Sequence, residues 1–331
     1  TKNGALEMLE AILLKPQAYL EDKTFSKVAQ FLMPKLKDES EIYLNSTGVD
    51  VHIFGRDFIE AGAIDQINTA SRLPISVAAA LMPDAHQGYG LPIGGVLATE
   101  GAVIPYGVGV DIGCRMCLSI FDIPPHELES KEKKFSKILD EATVFGAGKE
   151  LAKPVDHAVL YRYEFKEIGL LRNLYDTAAR QLGTSGSGNH FVEWGLIEVK
   201  EEDAILGIAP GQYIGLLSHS GSRAVGANVA NHFTRIAKEK RKLQPSAANL
   251  AWLDLSESDG AQYWLAMNLA GDYASACHHV IHDKIAKALG ETPIKMVENH
   301  HNFAWKEEHG GKEVIVHRKG ATPAGKGVLG I

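Results

Sequence analysis

Three cysteines among 331 residues are too few for a disulfide framework, so the composition argues against a cross-linked secreted scaffold and points to a reducing cytoplasm. No surplus of positive charge exists either. The formal net charge is -7, which gives no global attraction to nucleic acid or acidic lipid, and any polyanion site must be a local basic patch. No apolar run approaches the roughly 20 residues needed to span a bilayer, "ISVAAALM" being among the longest, so no membrane partner is expected. A cationic, then apolar, then small-residue leader is missing from the start. Internal repeats and low-complexity linkers are absent. What is present, 45% hydrophobic and 23% charged residues, is the make-up of a globular protein and excludes wholesale disorder.

Two phosphate and acyl-transfer signatures are also lacking. "GAGKE" and "AGKGV" have no Ser or Thr after Gly-Lys, which excludes a Walker A loop. Neither "GTSGSGN" nor "HSGSRAV" has the G-x-S-x-G spacing of a nucleophile elbow.

Apolar spacing of three and four predicts helices in "GALEMLEAILLKP", "TFSKVAQFLMPKLKD", "AGAIDQINTASRLP", "PHELESKEKKFSKILDEATVFG", "EIGLLRNLYDTAARQLG", "AVGANVANHFTRIAKEKRK" and the long "DGAQYWLAMNLAGDYASACHHVIHDKIAKALG". "EIYLNSTGVDVHIFG", "QYIGLLSHSGSR", "MVENHHNFAWKEE" and "EVIVHRKGAT" read as strands with loops, and Leu81 to Phe121 as glycine loops between short apolar runs. The expected fold is α+β, one domain whose glycine loops converge on a site, with two subdomains as the alternative. The chain opens on Thr1 and stops in the apolar "GKGVLGI", which reads as a fragment or trimmed chain.

Three glycines crowd a carboxylate and a thiol in "GVGVDIGCRMC". Cys114 and Cys117 could form half a zinc site with Cys277 and His282, or a redox pair. Against both, alternation places Cys117 with Ser119 and Phe121, opposite Met116, Leu118 and Ile120, and Cys277 falls on a helical stripe with Tyr273, Ile281 and Ile285. Those two thiols belong to the core. Asp111 and Cys114, a hard and a soft donor on one glycine loop, suit a borderline divalent ion and need imidazoles to complete a shell.

Fourteen histidines make coincidence easy. His278, His279 and His282 are expected on charged, solvated helix faces. His190 in "GNHF", His219 in "HSGSR" and His301 in "NHHNF" instead stand at strand or loop edges, where rigid elements present ligands. Spacing alone leaves a shared metal site and scattered structural histidines both open. "GTSGSGNHF" could aim backbone N–H groups at an anion or be a plain turn into a strand. Arg223, and His317, Arg318 and Lys319 in "VHRKGAT", set cations beside glycine turns. "RIAKEKRK" reads as a solvated surface.

In order, "MPDAHQGYGLPIGG", "GVGVDIGC", "GTSGSGNHFVE", "HSGSR", "HHN" and "VHRKGAT" resemble the RtcB family of RNA ligases from about Leu81 to the end, with "HIFGRDFIEAGAIDQI" extending the likeness upstream. The resemblance implies a single RtcB-like catalytic domain over 1–331, incomplete at its C-terminus, with mixed and antiparallel sheets flanked by helices around a metal cleft. It implies two manganese ions held by Asp111, Cys114, His190, His219 and His301, with the Cys114 thiolate bridging them. It implies nucleotide contacts from Asn189, His190, Phe191, Val192, Glu193, His301 and Asn302. Asp84 and His86 would belong to the cleft wall, and Arg223, Arg318 and Lys319 would meet RNA phosphate.

The implied reaction joins an RNA 3′-phosphate or 2′,3′-cyclic phosphate end to a 5′-hydroxyl end. GTP guanylylates a histidine, the GMP passes to the 3′-phosphate, and the hydroxyl displaces it, in tRNA splicing or RNA repair. An accessory activating protein is a further expected partner.

Two departures stand out. Arg115 replaces the glycine that relatives often carry after the cysteine, and is expected to alter the cleft entrance. The guanylylated histidine of the family lies in an HGAGR motif downstream of "RKGAT", which places it beyond Ile331, so no catalytic nucleophile is assigned. The alternative reading is a non-ligating metal- and RNA-binding protein, or a metal phosphoesterase, that retains the dinuclear centre.

Overall fold

Two sheets and one long helix place every motif of the second half of the chain. The structure, a computed structural model, describes residues 2–32 and 41–331. Contacts divide the chain into two units, Thr1–Ile42 and Tyr43–Ile331. The first holds α1 (Lys2–Leu14) and α2 (Ser26–Leu32); the rest of the helix expected over "TFSKVAQFLMPKLKD" lies outside the described residues.

In the second unit a five-stranded sheet comprises β1 (Val51–Ile53), β2 (Ser76–His86), β3 (Ile93–Thr99), β8 (Asn302–His309) and β9 (Lys312–Lys319), in the order β8-β9-β3-β2-β1. All neighbours are antiparallel except β1 and β2, so the sheet is mixed. A four-stranded antiparallel sheet comprises β4 (Arg115–Phe121), β5 (Phe191–Val199), β6 (Gly211–Ser220) and β7 (Lys295–His300), in the order β7-β4-β6-β5. Helices α3 (Ala61–Ser71), α4 (Glu132–Ala142), α5 (Gly169–Gln181), α6 (Arg223–Lys240) and α7 (Ser258–Leu289) flank them. The α+β class is as expected, and the apolar runs between the glycine loops of 81–121 are strands. None of the helices among the described residues is long and apolar enough to cross a membrane.

The longest helix, α7, ends where Gly290 takes a left-handed φ of 82° and returns its N–H to Ala286 and Lys287. It covers the face of the four-stranded sheet that carries Arg115, Cys117 and Ser119 on β4 and their partners Ser220, Ser218 and Leu216 on β6. At one end of this interface Phe121, Val192, Ile214 and Leu216 pack on Ile281 and Ile285. Its other end is polar. Cys117 and Cys277 are fully buried, in line with their alternation and stripe.

Two expectations fail here. His278 and His282 are 0% and 1% exposed, not solvated; only His279 reaches the surface. They sit on the covered side of α7, where serines of the sheet replace water. Arg115 does not reach the cleft entrance. Alternation along β4 turns it under α7, where it is 5% exposed, donates to the Gly271 carbonyl at 3.0 Å and pairs with Glu298 at 3.0 Å. On the surface, Lys240 and Arg241 of the basic run pair with Glu257, and Lys238 bonds Asn249, which bears out the solvated-surface reading.

His317 is also fully buried, donating from Nδ1 to Leu97 and accepting from the Ile104 N–H at 2.9 Å. Burial lowers it to about 4, and lowers His278 and His282 to about 3. The unfolded chain takes up these protons near pH 6.5, where the folded one refuses them. Stability is therefore complete above pH 6.5 and falls as pH drops from there, toward 4 for His317 and toward 3 for His278 and His282. Urea unfolding of the metal-free protein at pH 7.5 and pH 5 should show a lower midpoint at pH 5. Equal midpoints would contradict the three neutral histidines.

Candidate metal centre

Between the two sheets, the chain makes the turn that builds the site. β7 belongs to the four-stranded sheet and β8 to the five-stranded one, and His301 is the single residue between them. Its N–H donates to the Cys114 carbonyl at 3.0 Å, and the Gly113 N–H donates to Asn302 at 2.8 Å. This backbone staple holds the Asp111–Cys114 loop against His301. The loop can pass only because residue 113 is glycine: its φ is +71°, and a Cβ there would stand 2.8 Å from the Gly271 Cα of α7.

Two further loops bring the remaining donors. His219 is the penultimate residue of β6, and His190 immediately precedes β5, whose Phe191 pairs with His219. Gly221 lets Asp111 in, since a Cβ at 221 would lie 2.1 and 2.2 Å from its two carboxylate oxygens. The Ser222 N–H holds Asp111 Oδ1 at 3.0 Å. The donor atoms then run in sequence: Asp111 Oδ2 to His190 Nε2 2.9 Å, His190 Nε2 to Cys114 Sγ 3.5 Å, Cys114 Sγ to His219 Nε2 3.2 Å, and His219 Nε2 to His301 Nε2 3.2 Å. The thiol stands at the centre of the row. All five residues read from the sequence as candidate ligands meet in one place.

The donor chemistry fits divalent cations. His219 Nδ1 faces the Asn189 carbonyl at 2.9 Å and must donate to it, which leaves Nε2 with a bare lone pair aimed at Cys114 and His301. Burial lowers His219, and burial above all lowers His301 to about 4, so both rings are neutral ligands at pH 7. Asp111 Oδ2 is buried and lacks a well-aligned hydrogen bond despite the nearby imidazole. Burial, then the charge of Asp111, pushes the Cys114 thiol well up, so a thiolate there needs a cation beside it. Asp111, His190 and Cys114 could hold one ion, and Cys114, His219 and His301 a second, with sulfur common to both.

The other candidates divide. Asn189 supplies the carbonyl that orients His219, and Phe191 stands 5.8 Å from that ring. Val192 is buried among the core residues under α7, while Glu193 is exposed. Asn302 bolts the loop, donating to the Asp111 carbonyl at 3.4 Å and accepting from the Gly320 N–H at 2.8 Å. Arg223 begins α6 in a left-handed conformation, φ 55°, alone in this among the described non-glycine residues. It reaches Thr184 and the Gly146 carbonyl, and with Gln181, Asn189 and His190 lines a cleft of ≈ 410 Å³ opening from Asp111. A non-glycine residue forced into this backbone costs about 1–3 kcal/mol and is a mark of functional sites.

Lys319 is 7% exposed, lowered to about 8 by burial, and bonds the Tyr89 carbonyl at 2.7 Å. Arg318, next along β9 and so facing the other way, is held by both Glu307 oxygens and lies over Trp305. Asp84 and His86 are exposed at the end of β2, with no hydrogen bond to the five donors. The site residues that sequence reading missed are Gly221 and Ser222, whose signal was their place in "HSGSR" directly after a candidate ligand.

A family model described as tRNA-splicing ligase RtcB matches residues 66–330. The chain is 30% identical over 304 residues to the RNA-splicing ligase RtcB of Escherichia coli strain K12, an alignment covering 82% of this chain and 71% of that protein. It is 31% identical over 322 residues to the tRNA-splicing ligase RtcB of Archaeoglobus fulgidus, covering 80% and 66%. To the tRNA-splicing ligase RtcB of Thermococcus kodakarensis it is 32% identical over 295 residues, covering 74% and 61%.

Proposed function

Because the chain belongs to the RtcB family, we propose that it is an RNA ligase, joining an RNA 3′-phosphate or 2′,3′-cyclic phosphate end to a 5′-hydroxyl end through GMP activation of the phosphate. What carries the reading is the convergence of Asp111, Cys114, His190, His219 and His301, with one sulfur between the others. Two manganese ions bound there would polarise phosphoryl oxygens and neutralise charge gathering in the transition state. The protein's own groups do the rest. Asn189 fixes the His219 tautomer, and Asn302 and Ser222 hold the Asp111 loop in register.

Asn189, Phe191, Glu193 and Asn302, around the same donors, form the proposed nucleotide site, with His190 and His301 serving both roles; Val192 contributes through its backbone, its side chain being in the core. Of the basic candidates, Arg223 is the one open to the cleft and suits an RNA phosphate, whereas Arg318 is already paired with Glu307. Asp84 and His86 are assigned to the outer wall of the RNA path; Lys319, buried and bonded to the Tyr89 carbonyl, is left out of it.

The test uses the protein as encoded, incubated with manganese and labelled GTP. A covalent GMP adduct and sealing of a 3′-phosphate RNA to a 5′-hydroxyl RNA are expected. Metal binding without an adduct would favour the phosphoesterase or binding-protein reading.

A further inference from the structure

Beneath the metal centre, the polar end of the interface under α7 contains a chain of hydrogen bonds with a defined direction. His278 Nε2 meets the Ser220 carbonyl at 3.2 Å, and a carbonyl only accepts, so the proton is on Nε2. Neutral His278 then accepts at Nδ1, and the Ser218 hydroxyl, 2.6 Å away, must donate to it. With its one proton used, Ser218 Oγ can only accept from His282 Nε2 at 2.7 Å. His282 in turn accepts at Nδ1 from the Ser119 hydroxyl at 2.7 Å. One peptide carbonyl thus dictates the tautomers of two imidazoles and the orientation of two hydroxyls.

All five residues are 0–1% exposed. A buried polar network of this kind is less stabilising than well-packed apolar side chains of the same volume, but it fixes a single arrangement where its members are satisfied, as the side chains of His278, Ser218, His282 and Ser119 are here. Ser220 joins through its carbonyl, its buried hydroxyl standing without a partner. What it fixes here is specific. Ser218 and Ser220 flank His219 on β6, and strand alternation turns their side of the strand to α7 and the His219 ring to the opposite side. The imidazole is therefore held by Asn189 at its own Nδ1, and its backbone by α7 through both neighbours.

We infer that Ser218, His278 and His282 are positioning residues for the metal ligand His219, clamping the end of β6 so that Nε2 is set toward Cys114 and His301 before an ion arrives. The inference rests on the metal reading of the five donors. Cys117, His278 and His282 also bring three donor atoms within 4.8 Å of one another. In the clamp they hold no ion, because each imidazole nitrogen already has a serine or carbonyl partner.

The experiment titrates cobalt(II) into metal-stripped wild type, Ser218→Ala, Ser218→Thr and Leu216→Ala, following the d–d and sulfur-to-metal bands. Leu216, fully buried two residues before Ser218 on the same face, is the control for destabilisation of the strand alone. Removing the group hydrogen-bonded to a ligating imidazole typically costs about 10–100-fold in metal affinity. Ser218 bonds His278 and His282 rather than His219 itself, so its loss belongs at the lower end of that range. Ser218→Ala is expected to lose affinity in that range, Ser218→Thr to restore most of it, and Leu216→Ala to lower the melting temperature while binding cobalt like wild type.

Equal affinities for Ser218→Ala and wild type would overturn the inference, as would an equal loss in Leu216→Ala. A further equivalent of zinc that disappears in His282→Leu would overturn it too, by making the cluster a metal site. Failure of the wild type to bind cobalt would instead sink the metal reading beneath it.

Discussion

Cys114→Ala should abolish tight binding of divalent metal and with it any ligation, while Cys117→Ala should leave both near wild type. The two thiols are three residues apart and both buried, yet they face different surroundings. Cys114 lies within 3.5 Å of His190 and 3.2 Å of His219, with Asp111 on the same loop. Cys117 lies under α7, where burial raises it to about 12. On the proposed reading the Cys114 thiolate would be common to two ions and its removal would take a ligand from both, so the affinity loss should exceed the roughly 10–100-fold typical of a lost partner behind a ligand. Cys117→Ala deletes only one buried sulfur, a packing change within the few-kcal/mol range of core truncations. Equilibrium dialysis against manganese separates the two. Equal metal loss in both variants would return the site to a Cys-x-x-Cys zinc knuckle.

Gly221→Ala is expected to be nearly as damaging, although residue 221 carries no chemistry. The added methyl would occupy the space of the Asp111 carboxylate, 2.1 and 2.2 Å from its oxygens. Asp111 can yield only by giving up the Ser222 N–H at Oδ1 and its approach to His190. The protein should still fold, because the clash is with a side chain at the edge of the cleft. Loss of the ion held by Asp111 with the circular dichroism spectrum unchanged is the predicted result. Wild-type stoichiometry in Gly221→Ala would show that Asp111 has another way to reach the metal.

Spacing alone left His190, His219 and His301 open between a shared site and scattered structural roles. The five donors became legible together only through the ordered likeness to the RtcB family, whose motifs here fall on glycine loops at 107–113 and 183–188, a strand end at His219 and a doubled histidine at 300–301. The mechanism that joins them was not legible in any one stretch, since His301 meets Cys114 only because the chain changes sheets at that residue. His278 and His282 were misread for a related reason. Helical spacing shows which residues share a face, but not what that face meets, and here it meets Ser119 and Ser218 rather than water. Arg115 was different, because its signal was present. The alternation that put Cys117 and Ser119 in the core puts Arg115 on their side too, and the expected effect on the cleft entrance ignored it. The mixed character of the five-stranded sheet, expected from the resemblance, rests on one parallel pair, β1 with β2, linked through α3; the strand within "EIYLNSTGVDVHIFG" was read from the sequence, but not the neighbour it pairs with.

The central claim is that five side chains from separate loops enclose a shared pair of cations with Cys114 between them. Anomalous scattering at the manganese edge, from crystals of the metal-loaded protein, tests it most directly. Two peaks about 3.5–4 Å apart, one against Asp111 and His190, the other against His219 and His301, and both in contact with the Cys114 sulfur, are the predicted result. A lone peak elsewhere, such as among Cys117, His278 and His282, or no peak at the five donors, would contradict it.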